Sequence, residues 1–332
     1  MPLRAMVVQS MGGLMKRLLF VWLLCLCLAP GIASAQKSEP ILVGYGRDPK
    51  WSPGETSISL IRNDSLFVTR LDSTKDTRFI HFGPILKYEW IDDSTLAAQE
   101  RYDIPVKNGR IFVEKIVKLS VAGQVFEVAK DSFHTSSGES RRLSLGMFPN
   151  GSVGYFDNEA PEGKVVNLTP RLSRGSNSDS TRSVLFVDTS PPSWGKVWLY
   201  YGDRHNGREI TRSANTFSLP RLAPSCDKFS CMNHRAEIIV FDTLGNILAN
   251  LGRGDMQSWD SRGQYITFCN TKYSHYDLKS GDIFVVKYDG TERRQLTSTP
   301  DIIEYEPSFS PSSRYIMYTD YGNDALYVLR VE

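Results

Sequence analysis

One phrase recurs along this 332-residue chain at intervals of about 37 to 50 residues. Its clearest copy is Glu306-Pro307-Ser308-Phe309-Ser310-Pro311, then Arg314-Tyr315-Ile316-Met317-Tyr318, then Ala325-Leu326-Tyr327-Val328. It consists of an apolar anchor, a Ser-Pro turn, a strand, a loop and another strand. Self-similarity at such a period marks a radial or linear array of small units, none of which can bury its apolar face alone. Trp51, Trp90, Phe133, Leu172, Leu222, Trp259 and Phe309 line up as seven anchors. A turn rich in Ser, Pro, Gly or Asp follows each one, and the copy after Leu172 is the most ragged.

A second strand is predicted in each unit, at 58–61, 96–99, 143–146, 184–187, 229–232, 265–269 and 315–319. A third, richer in β-branched and aromatic residues, is predicted at 66–68, 111–117, 153–156, 197–201, 238–241, 283–288 and 326–331. Asn206-Gly207, Gly245-Asn246 and Asp289-Gly290 then suit tight hairpins, because such pairs accept positive φ. Fourth strands follow, as at 165–169 and 294–297. Four short antiparallel strands per unit give an all-β chain, a seven-bladed β-propeller, or six blades if the Leu172 unit is an insertion. The last unit lacks a fourth strand. Ile41–Tyr45 is expected to supply it beside 326–331, which closes the ring and hides two edges. Trp51, Trp90, Trp259 and Phe309 are read as core between blades rather than as an aromatic ligand platform.

Residues 1–35 are expected to be a leader. Lys16-Arg17 precede an apolar run at 18–28, too short for a mature span, and Ala33-Ser34-Ala35 suits cleavage before Gln36. Met15 is an equally ordinary start. Cys25 and Cys27 each follow Leu, which does not fit a lipidation site. The product is therefore expected to be exported, periplasmic or extracellular, with residues 36–332 forming a single propeller domain and no transmembrane anchor. The leader holds Arg4, Lys16 and Arg17, so the remainder carries 36 basic against 37 acidic residues. That balance argues against a nucleic-acid partner. Cys226, Cys231 and Cys269 remain, and buried free thiols are preferred to a Cys226–Cys231 bridge.

The phrase resembles the TolB-type repeat, also called the WD40-like or PD40 repeat. The likeness is best from Ala236 onward, in 283–290 (Ile-Phe-Val-Val-Lys-Tyr-Asp-Gly), Leu296-Thr297 and Phe309-Ser310-Pro311, and it is fair at Trp51-Ser52-Pro53-Gly54. The resemblance implies a propeller, but its motifs describe turns and core rather than a function. TolB carries an α/β domain before its propeller. Here only a few residues separate the leader from the first strand, so a TolB role is not implied. Propeller peptidases add a hydrolase domain, and no Gly-x-Ser-x-Gly elbow occurs in this chain.

One polar constellation stands out. His234 and His275 both follow the second strand of neighbouring units, and equivalent loops of a ring share one face. Asn270, Lys272 and Asp320 fall in comparable loops, and Arg62 and Arg101 join them. These residues are the expected ligand-binding face. Scattered His residues without local spacing do not assign a metal, and no cofactor motif occurs. Asp289-Gly290 reads as a hairpin turn rather than a calcium loop. Asn63-Asp64-Ser65 and Asn167-Leu168-Thr169 match glycosylation acceptors. Two functions follow. The first is a non-catalytic module docking a protein, peptide or glycan. The second is a propeller enzyme, such as a polysaccharide lyase or hydrolase, since some oligogalacturonate lyases resemble this repeat class and use a His-bound metal.

Overall fold

The computed structural model describes residues 39–331 apart from 72, 108, 135–142, 148–152, 158–163, 168–184, 189–194, 202–206, 212–215 and 275–276. Every regular element among them is a strand. β1 (Ile41–Tyr45) comes first. The first sheet follows with β2 (Arg47–Trp51), β3 (Ser57–Arg62), β4 (Ser65–Arg70) and β5 (Ser73–Phe82). The second has β6 (Ile85–Asp92), β7 (Thr95–Val106), β8 (Gly109–Ser120) and β9 (Val125–His134). The third has β10 (Leu143–Met147), β11 (Val153–Asp157) and β12 (Lys164–Asn167), and the fourth has β13 (Leu185–Asp188), β14 (Trp198–Tyr201) and β15 (Gly207–Glu209). The fifth has β16 (Phe217–Leu222), β17 (Lys228–Asn233), β18 (Glu237–Asp242) and β19 (Ile247–Arg253). The sixth has β20 (Asp255–Trp259), β21 (Tyr265–Ser274), β22 (Asp277–Lys287) and β23 (Arg294–Gln295). The last is built from β24 (Glu304–Phe309), β25 (Tyr315–Asp320) and β26 (Ala325–Arg330), with β1 added at its edge.

Each sheet is an antiparallel meander, so strand order follows chain order except where β1 joins β26. Ile41 stands opposite Val328 and Tyr45 opposite Ala325, as expected for a strand donated from the N-terminal side. The burial differs from expectation. A register shift between Leu42 and Gly44 turns Val43 inward, where it is 2% exposed, while Ile41 and Leu42 are 62% and 40% exposed. Val43 packs with Trp51, Ile58 and Leu60 of the first sheet and Met317, Leu326 and Val328 of the last. That cluster joins the two ends of the chain.

The repeat has a local cause. The residue after Trp51, Trp259 and Phe309 caps its own turn: Ser52 Oγ accepts from Ser57 N at 3.2 Å, Asp260 Oδ1 from Tyr265 N at 2.8 Å, and Ser310 Oγ from Tyr315 N at 3.2 Å. These residues satisfy backbone donors that the turn leaves free. Neighbouring turns are then tied together, Gly54 N to Asp93 Oδ1 at 2.6 Å and Ser312 Oγ to Glu55 Oε2 at 2.8 Å. Asn63 and Asp64 both take left-handed φ, 48° and 55°, in the two-residue β3–β4 hairpin, which gives that segment a structural role. The Gly245 and Gly290 turns also hold positive φ.

Trp51, Trp90, Trp259 and Phe309 are all buried, as expected of core. Phe133 is a correction. It lies on β9, the outer strand of the second sheet, opposite Phe112, so it does not open the third unit. The β8–β9 pairing runs on to His134, and an apolar residue in an outer strand has the same sequence signature as an anchor. Leu172 lies outside the described residues. The β7–β8 and β21–β22 hairpins are also several residues longer than predicted. Cys226, Cys231 and Cys269 are free; Cys231 pairs with Ile239 inside β17 while Cys226 sits in the turn before it.

Removing β1 unpairs β26 and empties the Val43 site. A chain starting at Asp48 is expected to be less stable than one starting at Gln36 by roughly 2–3 kcal/mol, the worth of one buried aliphatic side chain plus an exposed edge. Urea unfolding of the two proteins measures this. Equal midpoints would show that β1 is not the closure.

Candidate functional site

The first strands of the first, fifth, sixth and last sheets share a kink. Three residues before the anchor, Asp48, Leu219, Met256 and Glu306 hold φ of 50°, 50°, 52° and 52°. The pairing register slips at each of these points, between Arg47 and Lys50, Ser218 and Arg221, Asp255 and Ser258, and Tyr305 and Ser308. Left-handed φ costs an ordinary residue about 1–2 kcal/mol, so it persists only where surrounding contacts require it.

Those contacts come from the next sheet. Trp90 Nε1 donates to Lys50 O at 3.2 Å, Trp259 Nε1 to Arg221 O at 3.0 Å and Trp51 Nε1 to Ser308 O at 3.4 Å. Each acceptor is the residue just before the preceding anchor. Tyr88 Oη donates to Asp48 O and Gln257 Nε2 to Leu219 O, so the kinked carbonyl is also claimed. First strands of successive sheets are thereby fastened to one another.

This geometry collects charge. Lys50 Nζ bonds Glu89 Oε1 at 3.1 Å and lies 3.9 Å from Asp48 Oδ1, while Lys87 Nζ lies 4.0 Å from the same Glu89 oxygen. Glu89 is 7% exposed in its side chain, and a buried carboxylate needs such partners. Arg221 of the fifth sheet acts electrostatically on both Lys50 and Lys87 of the first two sheets. The first strands of the first, second and fifth sheets thus carry charges that act on one another. Glu306 of the last sheet is influenced by Asp48, Asp324 and Lys50.

Burial pushes the carboxyls of Asp48 and Glu306 up, and for Glu306 the nearby Asp48 and Asp324 add to the effect. Burial pulls Lys87 and Arg221 down. Burial also pulls on Lys50, but Glu89 and Asp48 outweigh it and leave Lys50 raised. Yet Lys87 keeps 47% of its side chain open to water.

The residues expected from sequence lie elsewhere. Arg62 donates from Nε and Nη2 to Tyr45 O at 3.0 and 2.8 Å and lies over the Phe67 ring, tying β1 to the first sheet. The Arg101 guanidinium stacks 3.8 Å from the Phe112 ring centroid on the β7–β8 hairpin. His234 is exposed in the β17–β18 turn and borders a cleft of about 390 Å³ with Asn233, Arg235, Glu237, Phe217 and Thr211. Asn270 and Lys272 share the β21–β22 hairpin, opposite Asp282 and Ser280. Asp320 is buried, and its Oδ1 accepts from Gly322 N at 3.0 Å, capping the β25–β26 turn. His275 lies outside the described residues. Among the described residues no three His, Cys, Asp or Glu gather as a metal site. The first-strand charges were readable from the repeat: Asp48, Lys50, Lys87, Glu89, Arg221 and Glu306 all fall one or three residues before an anchor.

A carboxyl raised in the folded state favours folding below its unfolded range, near 4.3 for Glu, and loses that contribution as pH rises through the folded value. Glu306→Gln is therefore expected to melt above the parent at pH 8. The gap should close near pH 4. Thermal melts across that range test it, and a variant that melts lower at pH 8 would show that Glu306 is held by favourable pairing instead.

No family model matches the chain, and no curated protein matches it. Its backbone is similar to solved structures. A chain of a mitotic checkpoint complex, 13% identical, matches 92% of this chain and 97% of its own with a TM-score of 0.55. The Cps50 (Swd1) β-propeller domain from Myceliophteria thermophila, 10% identical, matches 89% of this chain and all 100% of its own with a TM-score of 0.52. TolB from Acinetobacter baumannii, 12% identical, matches over 82% of this chain but 57% of its own, with a TM-score of 0.42. At these identities the likeness concerns the fold alone, and that fold is a β-propeller.

Proposed function

We propose that the sheets close into one seven-bladed ring related to the TolB-like repeat, and that the chain is an exported, non-catalytic binding module. Its ligand, a protein, peptide or glycan, sits at the mouth of the central channel. The observation that carries this reading is the contact of Asp48, Lys50, Glu89 and Lys87 across the first and second sheets, with Arg221 of the fifth sheet acting electrostatically on the two lysines and Lys50 and Asp48 acting on Glu306 of the last. The Val43–Trp51–Met317 cluster supports closure, because it packs the last sheet on the first. A ring of first strands around a wetted opening presents fixed polar groups to whatever enters, which is how concave sites gain orientation and specificity.

Purified protein beginning at Gln36 should retain ligands on peptide or oligosaccharide arrays, and Lys87→Ala with Arg221→Ala should weaken that retention at least tenfold. Retention that ignores both substitutions would move the site off the channel. Shortening of an oligosaccharide during incubation would favour the enzyme reading, a lyase or hydrolase, and metal analysis of the same sample would identify a bound ion. N-terminal sequencing of exported protein should begin at Gln36; retention of residues 18–28 would overturn the export reading.

A further inference from the structure

We infer that the cleft beside the β17–β18 turn is a second binding site, and that its ligand is a small carboxylic acid with an aromatic or branched apolar body. It shares no residue with the first-strand charges and does not depend on the channel reading.

The floor of this cleft is apolar. Two cross-strand pairs of the fifth sheet line it, Phe241 with Ile247 and Ile239 with Asn250. Residues paired across strands share one face of the sheet. Phe217 of β16 adds to that face. The neighbouring outer strand, β15, has three residues where β5 and β9 have ten. The fifth sheet meets its end at Gly245, where an added Cβ would lie 2.6 Å from Ile210 O. Cover is therefore partial. Ile239 and Phe241 are 6% and 4% exposed, yet Ile247 beside them is 66% exposed. A cleft of about 390 Å³ lies toward the small end of ligand pockets, roughly 300–1,000 Å³, which suits a small molecule.

The rim donates hydrogen bonds. His234 and Arg235 are exposed beside the cleft, and among the described residues neither side chain has a hydrogen bond or an ion pair. Asn250 Oδ1 accepts from Gly252 N at 2.8 Å, which leaves its amide N–H groups to donate. Among the described residues the lining holds one carboxylate, Glu237, whose Oε2 accepts from Asn233 Nδ2 at 2.8 Å. Thr211 Oγ1 is already taken by Val197 N at 2.9 Å. A guanidinium, an imidazole and an amide remain, and the guanidinium fork matches a carboxylate in two parallel bonds.

These two halves separate the ligand classes. The Phe241 ring is stacked on Phe229 at 5.2 Å and meets Phe217 at right angles at 5.5 Å. A sugar ring needs an open aromatic face and finds ring edges and aliphatic carbon instead. A cation is repelled by Arg235. A polyanion suits the rim but cannot use the floor. An acid with an apolar body uses both, because its carbon leaves water against Phe217, Phe241 and Ile247 while its head meets Arg235 and His234.

The test titrates phenylbutyrate, its amide and phenylbutylamine into the protein from Gln36 by calorimetry, one body with three heads. The acid should bind at least tenfold more tightly than the amide, and the amine should be weakest. Arg235→Gln should erase the advantage of the acid without weakening the amide, and Glu237→Gln should tighten the acid several-fold. Ile247→Ser, at an exposed position, should weaken acid and amide alike. Lys87→Ala and Arg221→Ala should leave all three affinities unchanged, which separates this site from the channel. An acid whose affinity ignores Arg235→Gln overturns the inference, as does a failure of phenylbutyrate, indolepropionate and isocaproate all to bind. A peptide ending in a free Phe carboxylate that binds tenfold more tightly than these acids, and loses that on amidation, overturns the small-acid assignment in favour of a chain end.

Discussion

The structure depends on the bond from an indole N–H to the first strand of the preceding sheet. Sheets that meet only through side-chain packing can slide, because dispersion contacts have little direction. Trp90 to Lys50 O and Trp259 to Arg221 O fix one height and one spacing between sheets. The acceptors are available because the first strands kink at Asp48, Leu219, Met256 and Glu306. The kink costs conformational energy, and donors such as Tyr88 and Gln257 offset it by claiming the carbonyl it exposes. Between the last sheet and the first this arrangement thins. Pro49 stands where Tyr88 and Gln257 stand elsewhere, and proline offers no donor. Trp51 to Ser308 O, at 3.4 Å, is also the longest of the three indole bonds. The contact between last and first sheets therefore leans on β1 and on the apolar cluster around Val43.

Much of this fold is legible in the sequence because its turns are chemically explicit. Ser52, Asp260 and Ser310 cap turns at a constant offset from an anchor, and the offset survives changes in everything between. Second and third strands were placed well for the same reason, since each lies between a cap and a hairpin signal. Strand ends were not. The β7–β8 hairpin continues to the Val106–Gly109 pair because Tyr102, Ile104 and their partners Val113 and Ile111 remain strand-prone, and no Gly or Asn interrupts them earlier. Phe133 misled because a pattern of one aromatic followed by Ser and Gly does not distinguish an inner strand from an outer one.

The first-strand charges were less legible, for a physical reason. Loops near the second strand are polar, exposed and varied, so a search for chemistry is drawn to His234, Lys272 or Asp320. Asp320 is polar because a tight turn needs an acceptor, and Arg62 is positively charged at a place where a strand end needs two donors. Those needs are met locally. The first-strand charges sit beside large apolar anchors, and a lone Lys or Glu in a strand reads as solvent-facing decoration. Only superposing the units on their anchors shows that Lys50, Glu89 and Arg221 fall at one position, and Asp48, Lys87 and Glu306 at another.

The sixth sheet supplies the internal control for what those charges are for. Its first strand carries Met256 and Ser258 at the same two positions, with the same left-handed φ and the same register slip. The kink and the pairing therefore need no charge. Moving Glu89 and Lys50 out of water carries a desolvation cost that their mutual attraction repays only partly, and apolar side chains of similar size often serve stability as well or better. A fold that builds one first strand with uncharged residues could build all of them so. That the first, second, fifth and last sheets place ionised groups there, at positions where burial opposes their charged forms, is therefore not something the kink or the pairing requires.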